Sequence, residues 1–416
     1  MPRRGATTSS ISKIDDMPNS LRSRTTLAGW RRWVANRDSF KPAPTIKRKK
    51  YKKMDAEAQR AHTMDRLRTC ANLPMQETPM SLAITDEIDA LLIMNSLVES
   101  EETVPGVMTT GGGFQGKTET ICRILAKFEE YRLRQFSGSN PRYIAGTRDE
   151  HIPVVYVQTP AKPTPKRLCE RILRFFGADY GDMNEGELTN LVHDSLRDHD
   201  VCVLAIDDIT RLKLYRKDDE HALNLLREFM DMGITLMLTG VDIPGSGLRG
   251  PVGGTNPSAS AARFGDDLPE QLGRRCPLYH LMPFRRNSPE EIEAWTTHLK
   301  VIEDYLPLWE KRPGMLTEGT MPEYLFRRTN GVVGLLKILI RTASFKAITS
   351  GGENITQSLL DTCTIDPSKD NSRVAAAGEV PDVPRAPLMA PAQHQAGKRP
   401  HNGTLDDQGI PDRQHA

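Results

Sequence analysis

The sequence predicts an α/β fold in which a parallel sheet is covered by helices on both faces and followed by a smaller all-helical part. Between residues 104 and 285, short apolar runs alternate with segments of helical periodicity, whereas residues 288–364 show helical periodicity alone. A glycine-rich segment separates the first apolar run from its helix. Near-continuous apolar strands joined by helices are typical of a parallel sheet that is buried on both sides.

Shifts in composition divide the chain into five predicted parts. Glycine, proline and serine are also concentrated at residues 244–264, which predicts a flexible insertion within the α/β block. The five parts are a basic, largely disordered arm (1–55), a helical N-terminal segment (56–103), the α/β domain (104–285), a helical lid domain (286–364) and a disordered tail (365–416).

The basic arm is the most asymmetric part of the chain in charge. Residues 1–55 contain fifteen Lys or Arg and four Asp or Glu, although the whole chain has a net charge of only +2. The stretches GWRRWVANR (29–37) and KRKKYKK (47–53) interleave aromatic rings with cations, which suits phosphate neutralisation and base stacking. A nucleic acid, an acidic partner and a simple solvated charge run are all compatible with this pattern.

Cysteine usage and hydropathy predict a cytoplasmic protein without a membrane partner. The six cysteines form no C-x-x-C pair, which argues against both a zinc site and a disulfide framework. The first residues lack the apolar core of a signal peptide, and no run approaches 18 apolar residues.

The segment GGGFQGKT at residues 111–118 matches the phosphate-binding loop (P-loop) pattern G-x-x-x-x-G-K-[ST]. Its glycines let backbone N–H groups point at phosphates, and the start of the following helix adds partial positive charge. Lys117 is expected to reach the β- and γ-phosphates, and Thr118 to offer its hydroxyl to Mg²⁺. The predicted nucleotide-binding residues are Gly111, Gly112, Gly113, Phe114, Gln115, Gly116, Lys117, Thr118 and Glu119.

A second element, VCVLAIDDI (201–209), is an apolar strand that ends in two carboxylates. Asp207 is predicted to hold Mg²⁺ through water, and Asp208 to act as the general base on the attacking water. Because an Asp side chain is one methylene shorter than the Glu usual at this place, we expect slow hydrolysis. The alternative is that the pair only caps the turn after the strand.

Two further positions are candidate catalytic residues. Thr239 ends the strand ITLMLTG, where a polar side chain can contact the γ-phosphate or simply close the turn. Arg274 and Arg275 precede the last strand, and an arginine there can reach the γ-phosphate bound by a neighbouring subunit or form a surface ion pair.

The order of these features resembles that of AAA+ ATPases and, more narrowly, of the TniB/TnsC family of transposition ATPases. The resemblance covers roughly residues 75–350. Beyond the P-loop it rests on VVYVQTPAKPTPKRLCERILRFFGADY, LAIDDITRL, LNLLREFMDMGITLMLTG, QLGRRCPLYHLMPF and LFRRTNGVVGLLKILIRTAS.

The resemblance implies a three-layer αβα AAA+ domain followed by the helical lid. It implies ATP binding by Gly116, Lys117 and Thr118, with Mg²⁺ at Asp207. Sensor 1 falls at Thr239, and Arg275 is implied to act in trans. Such ATPases form homo-oligomers on target DNA and recruit or activate a DDE transposase, and hydrolysis resets the assembly.

The sequence departs from the family pattern in two places, after the first acidic residue of the predicted strand 201–207 and in the lid. Asp208 and Thr210 replace the Glu and His often found after the first acidic residue, and Gly334 stands where many AAA+ proteins carry a lid arginine. Lys337, about one turn further on, is the candidate substitute. These departures leave two alternatives open: a remodeller similar to helicase loaders, and a nucleotide-gated signalling scaffold with little turnover.

Overall fold

The computed structural model describes residues 23–74, 76–100, 102–136, 144, 146–147, 150–212, 217–249 and 272–365. Residues 1–22 of the predicted arm and 366–416 of the predicted tail lie outside the described residues, as does most of the predicted insertion.

Five parallel strands form one sheet in the order β2-β3-β4-β1-β5. The central strands are buried throughout and largely apolar, as their hydrophobic sequences predict. The predicted parallel α/β class is therefore confirmed. The strands are β1 (Val107–Thr110), β2 (Val154–Gln158), β3 (Val203–Asp207), β4 (Thr235–Gly240) and β5 (Leu278–His280).

The described part of the chain contains twelve α-helices and, in addition, a short helical stretch at residues 272–275. Their ends follow local sequence signals. For example, the Thr164 hydroxyl accepts from the Arg167 N–H at 3.2 Å, and Gly177 ends the same helix in a left-handed conformation. None of the described helices has the length and apolar character needed to cross a membrane. The helices are α1 (Leu27–Asn36), α2 (Arg48–Tyr51), α3 (Ala56–Ala71), α4 (Pro79–Asn95), α5 (Lys117–Phe136), α6 (Pro165–Phe176), α7 (Glu185–Asp198), α8 (Lys217–Asp231), α9 (Pro289–Tyr305), α10 (Met321–Thr329), α11 (Val333–Ser350) and α12 (Gln357–Asp361).

The buried apolar residues form two cores. The larger surrounds the sheet, and the smaller lies among helices α9 to α12. The predicted helical N-terminal segment is divided between them: α4 contributes Ile88 and Leu92 to the sheet core, whereas Cys70 of α3 and Leu73 of the following linker belong to the helical core. The linker from α3 to α4 therefore joins the two cores.

The prediction of a largely disordered arm is wrong for residues 23–55. Helix α1 packs on the α/β core, and Trp30 is fully buried there. Its indole Nε1 donates to Glu129 Oε2 at 2.8 Å, so this ring is not free to stack on bases. Composition alone predicted disorder because it does not register that Trp30 has an apolar site and a buried acceptor 99 residues away.

A buried ion pair fastens α3 to the helical core. Arg66 and Glu353 are 2% and 1% exposed, and Arg66 Nη1 donates to Glu353 Oε1 at 3.1 Å. Arg66 Nε also donates to the Pro307 carbonyl at 2.8 Å, and its guanidinium lies 3.9 Å from the centre of the Trp309 ring. Since both charges are removed from water, each depends on the other.

Replacing Glu353 with Gln is expected to destabilise the fold, because it leaves the Arg66 guanidinium buried without its counter-charge. The free energy of unfolding should fall by about 3 kcal/mol, measured by denaturant unfolding followed by circular dichroism. Glu310→Gln is the matched control, since the Arg48–Glu310 pair is exposed and should contribute less than about 1 kcal/mol. Equal losses in the two variants would contradict a structural role for the buried pair.

Candidate nucleotide-binding site

The predicted phosphate-binding residues lie together at the carboxyl edge of the sheet. Strand β1 ends at Thr110, the glycine-rich loop follows, and α5 begins at Lys117. Gly116 has a φ of +84°, a conformation that favours glycine, and a side chain at Gly111 would collide with the Leu281 carbonyl. The loop is therefore held in a tight curl at the start of a helix, the arrangement that binds phosphate.

The ammonium group of Lys117 lies over this loop. Its Nζ donates to the Gly112 carbonyl at 2.7 Å and to the Gly111 carbonyl at 3.1 Å. Burial lowers the Lys117 pKa, while the negative charges of Asp207 and Asp208 oppose that shift. A nearly buried cation is thus aimed into the loop, where it can meet phosphate oxygens.

Asp207, at the end of β3, is a buried carboxylate that accepts three hydrogen bonds. Its Oδ2 accepts from the Thr118 hydroxyl at 2.7 Å and from the Tyr156 hydroxyl at 2.9 Å. Its Oδ1 accepts from the Asp208 N–H at 2.9 Å. The two side chains predicted to bind the metal are therefore brought into direct contact across 89 residues of sequence.

These oxygens fit a magnesium ion. A carboxylate and an alcohol are hard ligands of the kind that Mg²⁺ takes together with phosphate oxygens and water. Thr118 directly follows Lys117, whose positive charge can bind a polyphosphate. Thr118 and Asp207 are thus the residues that would hold Mg²⁺.

Asp208, the candidate base, is in a strained conformation beside that pair. Its φ of 56° and ψ of 35° are left-handed, which is uncommon for a residue other than glycine. The side chain is partly exposed, and its Oδ2 pairs with Arg211 at 2.8 Å. This ion pair holds the carboxylate that the sequence assigns to the attacking water.

Thr239 is buried on β4, between the strands that carry the P-loop and Asp207. It is in register with Thr109 of β1, whose hydroxyl is buried with no hydrogen-bond partner. Strand β4 pairs with β3 on its other side. Thr239, the sensor 1 candidate, therefore lies on the strand between β1, which leads into the P-loop, and β3, which ends in Asp207.

An adjoining pocket is enclosed by both cores. The α3–α4 linker, the P-loop, the end of β5 and the helical core all contribute to its wall. His298 of α9 faces this pocket and contacts the ring of Phe284, and burial lowers the His298 pKa to about 4. The imidazole is consequently neutral at neutral pH. The apolar part of the wall includes Leu73, Pro74, Met282, Ile302 and Ile340, which suits the base of a nucleotide.

The helical core closes directly onto the P-loop through Gly334. The Gly334 N–H donates to the Phe114 carbonyl at 2.9 Å, and a side chain at 334 would lie under 3.0 Å from that oxygen. An arginine at this position is thus excluded by the loop itself. Lys337 lines the same pocket one turn on; burial lowers its pKa, and the nearby Glu119 carboxylate opposes the shift.

Arg275 lies near the amino ends of the strands, whereas the P-loop lies at their carboxyl ends. Its carbonyl accepts from the Gly106 N–H at 3.1 Å, at the amino end of β1, and its guanidinium pairs with Asp231 at 3.2 Å. Within its own chain Arg275 is therefore remote from the P-loop.

Several contacts of the site have no signal in the sequence. Glu119 pairs with Arg24 at 2.6 Å, and Tyr156 contacts Asp207. Neither Arg24 nor Tyr156 belongs to a recognisable nucleotide-binding pattern, because each reaches the site only through the packing of distant segments.

Comparison with known proteins identifies the α/β block. Residues 110–242 match the AAA domain family AAA_22. No curated protein matches the chain. The parallel sheet with its P-loop is therefore the AAA+ fold, as predicted, and the narrower TniB/TnsC resemblance stays a prediction.

Solved structures are similar to this chain at low identity. Orc1 of Aeropyrum pernix in complex with DNA is 16% identical, with 70% of this chain and 67% of that chain covered and a TM-score of 0.45. Cdc6p of Pyrobaculum aerophilum is 14% identical, with coverages of 69% and 67% and a TM-score of 0.44. Domain III of the Thermotoga maritima replication initiation protein DnaA is 12% identical, with coverages of 69% and 91% and a TM-score of 0.39. Likeness at this level is limited to architecture.

Replacing Gly334 with Ala is expected to weaken nucleotide binding, because the added Cβ displaces the Phe114 carbonyl and with it the P-loop. We expect the dissociation constant of a fluorescent ATP analogue with Mg²⁺ to rise about tenfold or more, the scale of a 1.4 kcal/mol strain. Gly352→Ala is the matched control, since its nearest neighbour would be the Ser350 hydroxyl at 3.4 Å. Unchanged affinity in Gly334→Ala would show that the helical core does not shape the P-loop.

Proposed function

We propose that this protein is an ATP-dependent, DNA-binding AAA+ regulator of transposition. It assembles on target DNA in the ATP-bound state and recruits or activates a DDE transposase, and slow ATP hydrolysis ends that state. The observation that carries the nucleotide part is the direct contact of Thr118 with Asp207 at 2.7 Å, beside the buried Lys117.

The residues of the site divide the work of binding. The loop N–H groups and Lys117 bind the phosphates, while Thr118 and Asp207 hold Mg²⁺. Mg²⁺, when bound, neutralises charge on the phosphate oxygens and so eases attack by water. The pocket beside the loop binds the nucleobase, and the neutral side chain of His298 is part of its wall.

Two features support slow hydrolysis. The Asp208 carboxylate is one methylene shorter than a Glu, and it is held by Arg211 rather than free to orient a water. The lid has Gly334 at the place where the family pattern has an arginine. Lys337 is the cation that the same helix contributes to the pocket wall. The site thus retains the groups that bind ATP and is weak in those that speed its cleavage.

DNA binding is supported by a lysine cluster carried on the helical core. We call Lys47, Lys49, Lys50, Lys52 and Lys53 the lysine cluster; all five side chains are exposed. Trp309 of the helical core donates from Nε1 to the Ile46 carbonyl at 2.8 Å, and the Tyr51 ring contacts Trp309 at 4.7 Å between centres. The cluster is thereby fixed to the helical core instead of lying on a flexible arm.

The transposition part of the proposal rests on the family resemblance of the sequence, from the P-loop to the helical lid. The runner-up among ATPases is a remodeller similar to helicase loaders. A DDE transposase that co-purifies with the ATP-loaded, DNA-bound protein supports our proposal, whereas a helicase in its place supports the runner-up.

A non-ATPase alternative is favoured by the same two departures at Asp208 and Gly334. A nucleotide-gated signalling scaffold would bind ATP and show little turnover, with or without DNA. Measurable phosphate release that depends on Arg275 of a neighbouring subunit would decide against it.

Removing charge from the lysine cluster is expected to weaken DNA binding. In Lys49→Gln/Lys50→Gln, each lost phosphate contact should reduce the slope of log affinity against log salt by about 0.9 on duplex DNA. The measurement is fluorescence anisotropy of a labelled duplex across a salt series, with a non-hydrolysable ATP analogue and Mg²⁺.

The matched control for this experiment is Lys162→Gln/Lys166→Gln, which removes two exposed lysines from the α/β domain. If both double variants reduce the slope equally, binding is a general effect of positive charge. If the wild-type protein does not bind DNA at low salt with ATP and Mg²⁺, the DNA-binding proposal is wrong.

A mixing experiment tests the trans role of Arg275. Lys117→Ala should be unable to use ATP but still present Arg275, while Arg275→Ala should bind ATP without an arginine from its neighbours. Each variant alone is expected to be inactive, and their mixture should recover part of the wild-type phosphate release, because mixed assemblies contain intact interfaces.

Arg274→Ala is the control, since it removes the adjacent exposed arginine and should retain turnover. No recovery on mixing, or a loss in Arg274→Ala as large as that in Arg275→Ala, would contradict the assignment.

A further inference from the structure

Among the described residues, the Tyr156 hydroxyl is the one donor to the Asp207 carboxylate that comes from neither the P-loop helix nor the adjacent backbone. Tyr156 lies on β2, next to the strand that ends in Asp207, and is 2% exposed. It donates to Oδ2 at 2.9 Å, the same oxygen that accepts from Thr118. A donor of this kind fixes the direction in which a metal-binding carboxylate points.

The other face of this tyrosine is covered by α1. The Trp30 ring stacks on the Tyr156 ring at 6.0 Å between centres and 20° between planes. Trp30 is itself fixed by its hydrogen bond to Glu129 on the P-loop helix α5. The tyrosine is therefore clamped between the carboxylate and a fully buried indole.

Ion pairs hold α1 and its flanking residues along α5. Arg37 pairs with Glu130 at 2.7 Å, and Asp38 accepts from Arg123 at 2.9 Å. On the other side of Trp30, Arg24 pairs with Glu119, which directly follows the metal-binding Thr118. The segment 23–38 thus contacts Tyr156, which hydrogen-bonds to Asp207. It also contacts Glu119, which follows Thr118 in the sequence.

We propose that Tyr156 is a positioning residue that orients Asp207 for Mg²⁺, and that the docked helix α1 holds Tyr156 in place through Trp30. The inference rests on the proposed function in that it takes Asp207 as a ligand of nucleotide-bound Mg²⁺. It makes the N-terminal segment part of the metal site, although it contributes no ligand.

Tyr156→Phe tests the first step. The variant keeps the ring that Trp30 covers and removes only the hydroxyl that orients Asp207. The Mg²⁺ concentration that gives half-maximal binding of a fluorescent ATP analogue should rise about tenfold or more. Binding of the analogue in EDTA should match wild type, because the P-loop and Lys117 are untouched.

Tyr131→Phe is the matched control for the loss of a tyrosine hydroxyl. Tyr131 lies on α5, and its hydroxyl accepts from Gln135 rather than from a group of the site. It should leave the Mg²⁺ requirement unchanged. A loss of nucleotide affinity in Tyr156→Phe that is equal with Mg²⁺ and with EDTA would indicate a merely structural role and overturn the proposal.

Trp30→Phe and Trp30→Leu test the second step. Both shift the Mg²⁺ requirement in the same direction as Tyr156→Phe, with the larger shift in Trp30→Leu, which removes the stacked ring. The double variant Tyr156→Phe/Trp30→Leu should need no more Mg²⁺ than Tyr156→Phe alone, because both changes act through one hydrogen bond. Additive shifts in the double variant would overturn the link through Trp30.

The wild-type protein separates this inference from the proposed function. If wild type shows no Mg²⁺-dependent binding of the analogue, the nucleotide function itself is wrong. If wild type binds in a Mg²⁺-dependent way and Tyr156→Phe has the same Mg²⁺ requirement, only the role of Tyr156 is wrong.

Discussion

The buried carboxylate of Asp207 is the constraint on which the rest of the site depends. A carboxylate that is only 4% exposed is stable as an anion only if hydrogen bonds replace its lost water. Its three donors come from the P-loop helix, from β2 and from the backbone after β3, by way of Thr118, Tyr156 and Asp208. They meet because parallel strands end at one edge. The sheet order is thus what allows this charge to be buried and to face a phosphate site.

The N-terminal segment connects that edge to the helical core. Helix α1 lies on the α/β core through Trp30, while α3 is fastened to the helical core by the pair of Arg66 and Glu353. The linker from α3 to α4 then lines the pocket beside the P-loop. Because Gly334 also contacts the P-loop, the nucleotide site touches both cores.

Much of the fold and of the phosphate site followed from local patterns. Apolar runs predicted the strands because a central parallel strand is buried on both faces. The P-loop and Asp207 were predictable because each requires specific residue types at fixed spacing. Residues 23–55 of the arm were mispredicted for the opposite reason. A segment rich in arginine and lysine is expected to be disordered, but four of its side chains, Arg24, Trp30, Arg37 and Asp38, have partners on α5 that lie some 85 to 99 residues away along the chain.

The sequence by itself determined the α/β class, the phosphate-binding loop and the acidic end of β3, because hydrophobic periodicity and motif spacing are local properties. Only the tertiary structure decided which other side chains serve the site. It brings the Tyr156 hydroxyl to Asp207, His298 to the pocket beside the P-loop and Gly334 into contact with the P-loop. It also places Arg275 near the amino ends of the strands, away from the P-loop. These relations depend on strand order and on the packing of two cores, and no spacing within the chain encodes them.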